Sequence, residues 1–280
     1  IVANGGIAEL SREAPFLTNV LLEEGYTTCA VDNLLQLRQW FSRGYEYYIN
    51  PGVHHTLFLD VSCEELNARA IPWLRSHADE TFFLFIHYWE PHWPLHPPAK
   101  YRNLYYTGNP TDPENRSLDP FWEHPIGALA RDTWLYHPDG PVTDATYVEA
   151  LYDQEIRHLD DGIGALLSGL DDLGLTDDTL VLFLADHGES ITEHGIYLEH
   201  HGLYETTIRV PFIARWPGRL PGGVRVPHIV QSHDLAPTIL DAIDAEIPFE
   251  MDGSSFWDVL TGESQSGGRE FAVSCECSWQ

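Results

Sequence analysis

The chain has 280 residues, enough for one large domain or two small ones around a substantial core. Its 43 acidic residues against 15 basic ones leave a formal net charge of −28 with a single lysine, Lys100, so nucleic acid and anionic membranes are excluded as main partners. With 12 % aromatic residues and a mean hydropathy of −0.24 it is a folded, water-exposed protein, and no apolar run approaches the ~18 residues of a membrane helix.

In chain order, Ser11 is predicted to cap a helix in which Phe16, Leu17, Val20 and Leu21 repeat at helical spacing up to Gly25. Tyr26–Val31 then reads as a strand, and Ser62-Cys-Glu-Glu65 as a capping box opening a helix that runs through Leu74. The apolar run Thr81–Tyr88 suits a strand buried on both faces. From Pro91 to about Thr143 the composition shifts to Pro, Trp, Tyr, Asn and Asp without sustained period, which predicts an irregular but ordered insertion over a site. Asp144 caps a long helix whose apolar face is Val148, Leu151, Leu159, Ile163, Leu166 and Leu170, with Gly174 beyond it. Strands follow at Thr179–Ala185, Val210–Arg215 and Val224–Val230, with turns at Pro217-Gly218 and Pro221-Gly-Gly223. Asp234 is predicted to cap a last helix that carries Pro237 in its first turn. Strands alternating with amphipathic helices predict one α/β domain over 1–280, a layered fold with a mostly parallel central sheet flanked by helices and an insertion at about 91–143.

The chemistry concentrates after the third apolar strand, where Ala185 is followed by Asp186-His187-Gly188-Glu189. A carboxylate and an imidazole at the carboxyl end of a strand stand where open parallel sheets bind ligands, and the glycine lets the backbone turn sharply. The pair supplies half a metal site, since zinc takes about four ligands and calcium about six to eight. The other acids, Asp32, Glu90 and the Asp160-Asp161 pair, read as turn or surface residues. His92 lies in His87-Tyr-Trp-Glu-Pro-His92-Trp-Pro-Leu95, where prolines stiffen the loop and hold an imidazole outside a strand end. A ring packed among tryptophans is the alternative for His92, and packing is the reading for His87. His201, beyond Glu193-His194-Gly195, is placed to protonate a leaving-group oxygen or bind an oxyanion, and His194 and His200 compete for the same role. Four cysteines, Cys29, Cys63, Cys275 and Cys277, are too few for a disulfide scaffold and wrongly spaced for a zinc finger. Cys29 reads as core, and Cys275-x-Cys277 as tail without catalytic meaning.

At these residues the chain resembles the sulfatases of the alkaline phosphatase superfamily. Asp186-His-Gly-Glu189, Tyr204-Glu-Thr-Thr-Ile-Arg-Val-Pro-Phe-Ile213, Trp216-Pro-Gly218, Asp234-Leu-Ala-Pro-Thr-Ile-Leu240 and Met251-Asp-Gly253 follow one another in that family's order. Upstream, Leu21-Leu-Glu-Glu-Gly-Tyr-Thr-Thr28, Arg43-Gly-Tyr-Glu46 and Pro91-His-Trp-Pro94 look like its early helix–strand unit and its substrate-histidine loop. The resemblance implies an alkaline-phosphatase-like fold and a sulfuric ester hydrolase acting on a small-molecule sulfate or phosphate ester. Asp186 and His187 would be ligands of one divalent cation, calcium by resemblance, with manganese, magnesium or zinc open because of the imidazole. His92 would bind the ester oxygens and His201 would contact the ester and assist the leaving group. The family's nucleophile is a formylglycine made from cysteine in Cys-x-Pro-x-Arg or Cys-x-Ala-x-Arg, and none of the four cysteines is followed by either motif. The family's first strand with its acidic ligands would precede Ile1, and its carboxyl-terminal subdomain would follow Trp279, so the expectation is the middle and later part of such an enzyme. A phosphonate monoester or phosphodiester hydrolase, a phosphoethanolamine transferase, or a non-catalytic homologue on the same fold are the competing expectations.

Overall fold

The computed structural model describes residues 11, 13–55, 58–133, 135, 137–264 and 269–275, with the backbone alone at 58, 125, 126, 129 and 132. Cys277 and Trp279 lie outside the described residues. The frame is α/β. Strand β1 (Thr27–Val31) is central to a parallel sheet of order β2-β1-β3, with β2 at Tyr47–Ile49 and β3 at Phe82–Ile86. Strands β4 (Val181–Leu184) and β5 (Phe212–Arg215) form a second, antiparallel pair.

Alternation along the strands sorts side chains into two layers. Cys29 and Val31 of β1 and Phe82, Leu84 and Ile86 of β3 face helices α2 (Cys63–Ser76) and α5 (Ala145–Asp172), where Leu66, Ala70, Trp73, Leu74 and Leu170 complete a cluster. On the opposite face Phe83 meets Val20 and Leu21 of α1 (Leu17–Glu23) and Leu240 of α7 (Leu235–Ala242). The fully buried Leu66 and Leu74 would each cost about 2–5 kcal/mol on truncation to alanine. Helix α2 starts at Cys63 because the Ser62 hydroxyl accepts from the Glu65 amide while the Glu65 carboxylate accepts from the Ser62 amide. Helix α5 starts where the Asp144 carboxylate accepts from the Thr146 amide at 3.0 Å.

Between Pro91 and Thr143 the described residues form two short α-helices, α3 (Asp119–Glu123) and α4 (Pro125–Asp132), in otherwise irregular backbone. Leu95, Leu118, Phe121, Leu135 and Val142 of this segment pack on Val148 and Leu151 of α5 and on Ile191 and Leu198, which belong to the loop after β4. The segment is therefore pinned by apolar burial to the loop that follows Asp186-His187. Two further short helices, α6 (Glu205–Ile208) and α8 (Trp257–Thr261), lie in the carboxyl-terminal third. Among the described residues no helix is long and apolar enough to cross a membrane.

Three expectations are corrected. Helix α1 begins at Leu17 with Phe16 at its N-cap and no side-chain cap, because the Ser11 hydroxyl accepts instead from the Glu13 amide at 3.2 Å. Val224–Val230 forms no strand. Pro227 inside it lacks the amide a ladder needs, and the segment keeps one isolated bridge, Ile229 with Arg269. Asp234 stands at the N-cap of α7 but gives that helix no cap hydrogen bond, because its carboxylate is taken by the Gln231 and Ser254 amides and by Arg269.

Candidate active site

The carboxyl ends of β1, β3 and β4 point to one region. Asp32 follows β1, His87 follows β3 and Asp186-His187 follow β4. Asp32 is buried, and its carboxylate accepts from the Leu34 amide at 2.5 Å and from the Tyr48 hydroxyl. Burial pushes its pKa up, against the hydrogen bonds from Tyr48 and Leu34 and the charge of His87. His87 is lowered by burial, with Asp32 and Asp186 acting in the opposite direction and His187 reinforcing it. Its Nδ1 is buried without a hydrogen-bond partner.

Asp186 is exposed, and its Oδ1 accepts from the His187 amide at 3.0 Å. The His187 ring is part-buried and donates through Nδ1 to the Gly188 carbonyl at 2.8 Å. That bond fixes the tautomer, so the lone pair sits on Nε2, 3.8 Å from Asp186 Oδ2. The backbone turn needs Gly188. The Gly188 amide donates to the Thr207 carbonyl at 2.8 Å, and a Cβ at this position would collide with the Thr206 carbonyl oxygen.

His92 is delivered by the loop after β3, whose Glu90–Pro91 and Trp93–Pro94 peptide bonds are cis. Its amide donates to the Trp89 carbonyl at 2.6 Å and its Nδ1 to the Trp93 carbonyl at 2.5 Å, leaving Nε2 as the free ring atom. The ring centroids of His92 and His187 are 6.3 Å apart, so the two rings share a site although His92 also packs on Trp89 and Trp93. Burial lowers the His92 pKa, the Trp93 carbonyl opposes this, and His187 lowers it further.

Of the three histidines on the loop after β4, His200 is the one brought into this group. Its ring stacks on His187 with centroids 4.1 Å apart and lies 6.3 Å from that of His92. Burial first, then the neighbouring His187, His92 and His201, push the His200 pKa down to about 4. His201 lies one position outward, 5.6 Å from His200 ring to ring, more than half exposed, with Nε2 3.3 Å from Glu199 Oε2. His194 stacks on Tyr204 at 3.8 Å. Asp161 lies on the α5 surface, paired with Arg157 at 2.6 Å and accepting from the Tyr101 hydroxyl.

Sequence reasoning passed over His87 and left His200 as one of three candidates. The signal for His87 was present, since an imidazole directly after Phe-Leu-Phe-Ile86 repeats the pattern of Asp186 after its own apolar strand. Glu189, next to Gly188, is raised to about 8 by burial and by Glu199, and its Oε1 is buried without a partner. The donor set at Asp186 and His187, a carboxylate beside an imidazole with a fixed free nitrogen, fits a divalent cation.

A family model described as Sulfatase matches residues 2–245. The chain is 28 % identical over 214 residues to the multifunctional alkaline phosphatase superfamily protein PehA of Trinickia caryophylli, covering 72 % of the chain and 41 % of that protein. It is 27 % identical over 257 residues to an arylsulfatase of Clostridium perfringens, covering 89 % of the chain and 50 % of that enzyme. The chain thus spans half or less of the length of these relatives. Among solved structures, it matches the phosphonate monoester hydrolase of Silicibacter pomeroyi with a TM-score of 0.70 at 23 % identity, over 93 % of this chain and 64 % of that one. The phosphonate monoester hydrolase of Agrobacterium radiobacter gives 0.71 at 20 % identity, with the same coverage of 93 % and 64 %. At these identities the likeness shows the fold.

Proposed function

Since the chain belongs to the sulfatase family, we propose that the group at the sheet's carboxyl end is the oxyanion- and cation-binding part of a sulfuric ester hydrolase centre. The observation that carries this reading is the convergence of His92, His187 and His200 beside Asp186, in a chain whose net charge otherwise repels anions. Asp186 and His187 hold one divalent cation, calcium by family resemblance, with manganese, magnesium or zinc admitted by the imidazole. When bound, that cation neutralises ester oxygens and favours the ionised nucleophile. His92, with Nδ1 tied to Trp93, presents Nε2 to the sulfuryl oxygens. His200 takes up a proton as the anion arrives and gives it to the departing oxygen. His201, which the family resemblance gives the leaving-group role, stands behind His200 with its Nε2 3.3 Å from Glu199 Oε2. The nucleophile is assigned to no residue of this chain, because no cysteine carries the formylglycine motif.

Turnover of an aryl sulfate, measured with calcium and after chelation, tests the reading. Asp186→Asn and His187→Ala should abolish the metal-dependent part, and His200→Gln should lower kcat by about 10²–10⁴. Calcium binding that His187→Ala leaves unchanged, or a measurable parent turnover that it leaves unchanged, sinks the proposal. His201→Gln against His200→Gln decides which ring serves the leaving group. Hydrolysis of a phosphonate monoester is the second reading, favoured by histidine beside Asp186. A higher kcat/KM for an aryl phosphonate ester than for the aryl sulfate would put it first.

A further inference from the structure

On the α2–α5 side of the sheet a second set of donor atoms converges. Cys63, the first residue of α2, is fully buried, and Gly162 of α5 passes so close that a Cβ there would stand 2.7 Å from the Cys63 Sγ. His158 of α5 is also buried. Its Nε2 is 2.8 Å from Glu64 Oε2 and 3.4 Å from Cys63 Sγ, and that sulfur is 3.5 Å from the same Glu64 oxygen. A tetrahedral zinc ion holding one sulfur, one nitrogen and one oxygen separates its donors by about 3.3–3.5 Å. Both edges that involve the sulfur are already at that length. The nitrogen–oxygen edge has to open by about half an ångström, which the largely exposed Glu64 side chain allows.

The other ring nitrogen is occupied as a metal-bound histidine requires. His158 Nδ1 faces Glu155 Oε2 at 3.4 Å and Glu90 Oε1 at 3.9 Å, so a carboxylate behind the ring directs the Nε2 lone pair toward the sulfur. Glu90 is the independent sign that something is unsatisfied. Its side chain is nine-tenths buried, its Oε1 accepts from the Cys63 amide at 2.7 Å, and its Oε2 has no hydrogen-bond partner. A His158–Glu64 ion pair with a weak S–H contact from Cys63 to Glu64 Oε2 and, at 3.9 Å, to the His158 carbonyl is the metal-free alternative, and it does not require sulfur, nitrogen and oxygen to converge within 3.5 Å of one another. An open groove bounded by Glu64, Asn67, Lys100, Asp161 and Gly162 lies on the solvent side of the Glu64 ligand.

We propose that Cys63, Glu64 and His158 form a binding site for a zinc-class transition-metal ion, separate from Asp186 and His187, with Glu155 and Glu90 orienting its ligands. Binding breaks the Cys63 S–H bond, forms a metal–thiolate bond and releases the proton to solvent, so affinity rises with pH. One thiolate and one carboxylate balance the two positive charges. The ion ties the first turn of α2 to the middle of α5, and through Glu90 it braces the loop that carries His92 two residues on.

The test titrates cobalt(II) into the protein carrying Cys275→Ser and Cys277→Ser, which removes the tail thiols, and follows the thiolate-to-cobalt charge-transfer absorption. The site predicts a band that saturates at one equivalent, is bleached by zinc, disappears in Cys63→Ser and persists in His187→Ala. Glu155→Gln should weaken cobalt binding about 10–100-fold. Because Cys63 is buried and its replacement can unfold the chain, Glu64→Gln supplies a second reading: an unchanged circular dichroism spectrum with at least a tenfold loss of affinity. No thiolate band in the folded parent, a band that survives Cys63→Ser, or unchanged affinity in Glu64→Gln each overturns the proposal and leaves an ordinary buried ion pair.

Discussion

At the scale of single residues, the candidate site is a crowd of imidazoles, and the crowding sets their charge. Burial of His200 and its histidine neighbours outweigh the opposing charge of Asp186, so it is held down at about 4 and is neutral at pH 7. A free imidazole near 6.5 binds more protons than the folded one between about pH 4 and 6.5. Stability from this group is therefore present above the unfolded value and is lost as pH falls through that window, by about 1–2 kcal/mol once its part exposure is discounted. Urea unfolding in chelator at pH 7 and pH 5 should show the drop, and His200→Gln should remove it. Calorimetry of sulfate binding in buffers of different ionisation enthalpy should in turn show proton uptake near pH 6. The choice among His194, His200 and His201 was not legible in the sequence, since all three share one loop and ring orientation depends on the φ of +61° at His194 and on stacking against His187 and Tyr204. The position of Asp186 and His187 at a strand end was legible because a strand of fixed direction delivers them.

At the scale of elements, strong local signals survived folding and weak ones did not. The capping box at Ser62–Glu65 and the Asp144 cap fix where α2 and α5 begin, since each satisfies amides that would otherwise be orphaned. Strand β2 escaped notice because three residues are too short to show a period, and its partner β1 supplies the register through Cys29 opposite Tyr47. The antiparallel pairing of β4 with β5 was likewise invisible, because a strand's own pattern says nothing of its neighbour's direction. The turn after β4 is the element most exposed to a single change. Gly188→Ala places a methyl group against the Thr206 carbonyl, which forces apart the Gly188–Thr207 hydrogen bond and moves the His187 ring off His200. The expected cost is about 2 kcal/mol or more in denaturant unfolding, together with weakened cation binding at Asp186-His187. A variant as stable as the parent, with metal binding intact, would show that this turn can relax.

At the scale of the whole molecule, 15 basic residues serve a chain of 43 acidic ones, so where each cation is spent matters. Arg269 is spent on Asp234, donating through Nε at 2.9 Å and through the guanidinium to the other oxygen at 2.5 Å, which joins the last described segment to the start of α7. Burial raises the Asp234 carboxyl, but hydrogen bonds from Arg269 and from the Ser254 and Gln231 amides outweigh it and hold the group at about 2. A depressed folded pKa contributes stability that is present above the unfolded value near 3.8 and is lost as pH falls from there toward 2. Arg269→Met should lower stability at neutral pH, as read by urea unfolding, by leaving the Asp234 carboxylate without its cation. It should also move the acid-unfolding midpoint upward, as read by circular dichroism.

The remaining surplus of 28 negative charges acts on everything at once and in one direction. Self-repulsion of the compact state is screened over about 30 Å at 0.01 M salt and about 8 Å at 0.15 M, so raising sodium chloride between these limits should raise Tm. The Asp234–Arg269 contact is short and its carboxylate is buried, so it is screened less than the surface charges, and Arg269→Met should keep nearly the same salt increment on a lower baseline. The same field opposes an incoming sulfate ester. Screening should therefore increase kcat/KM for an anionic aryl ester over that range, if the global charge controls approach. A fall in kcat/KM with salt, alongside a rise in Tm, would mean that His92, His200 and a bound cation have reversed the field locally and that approach is steered by the site. The two readouts separate a molecule that merely tolerates its acidity from one whose site overcomes it.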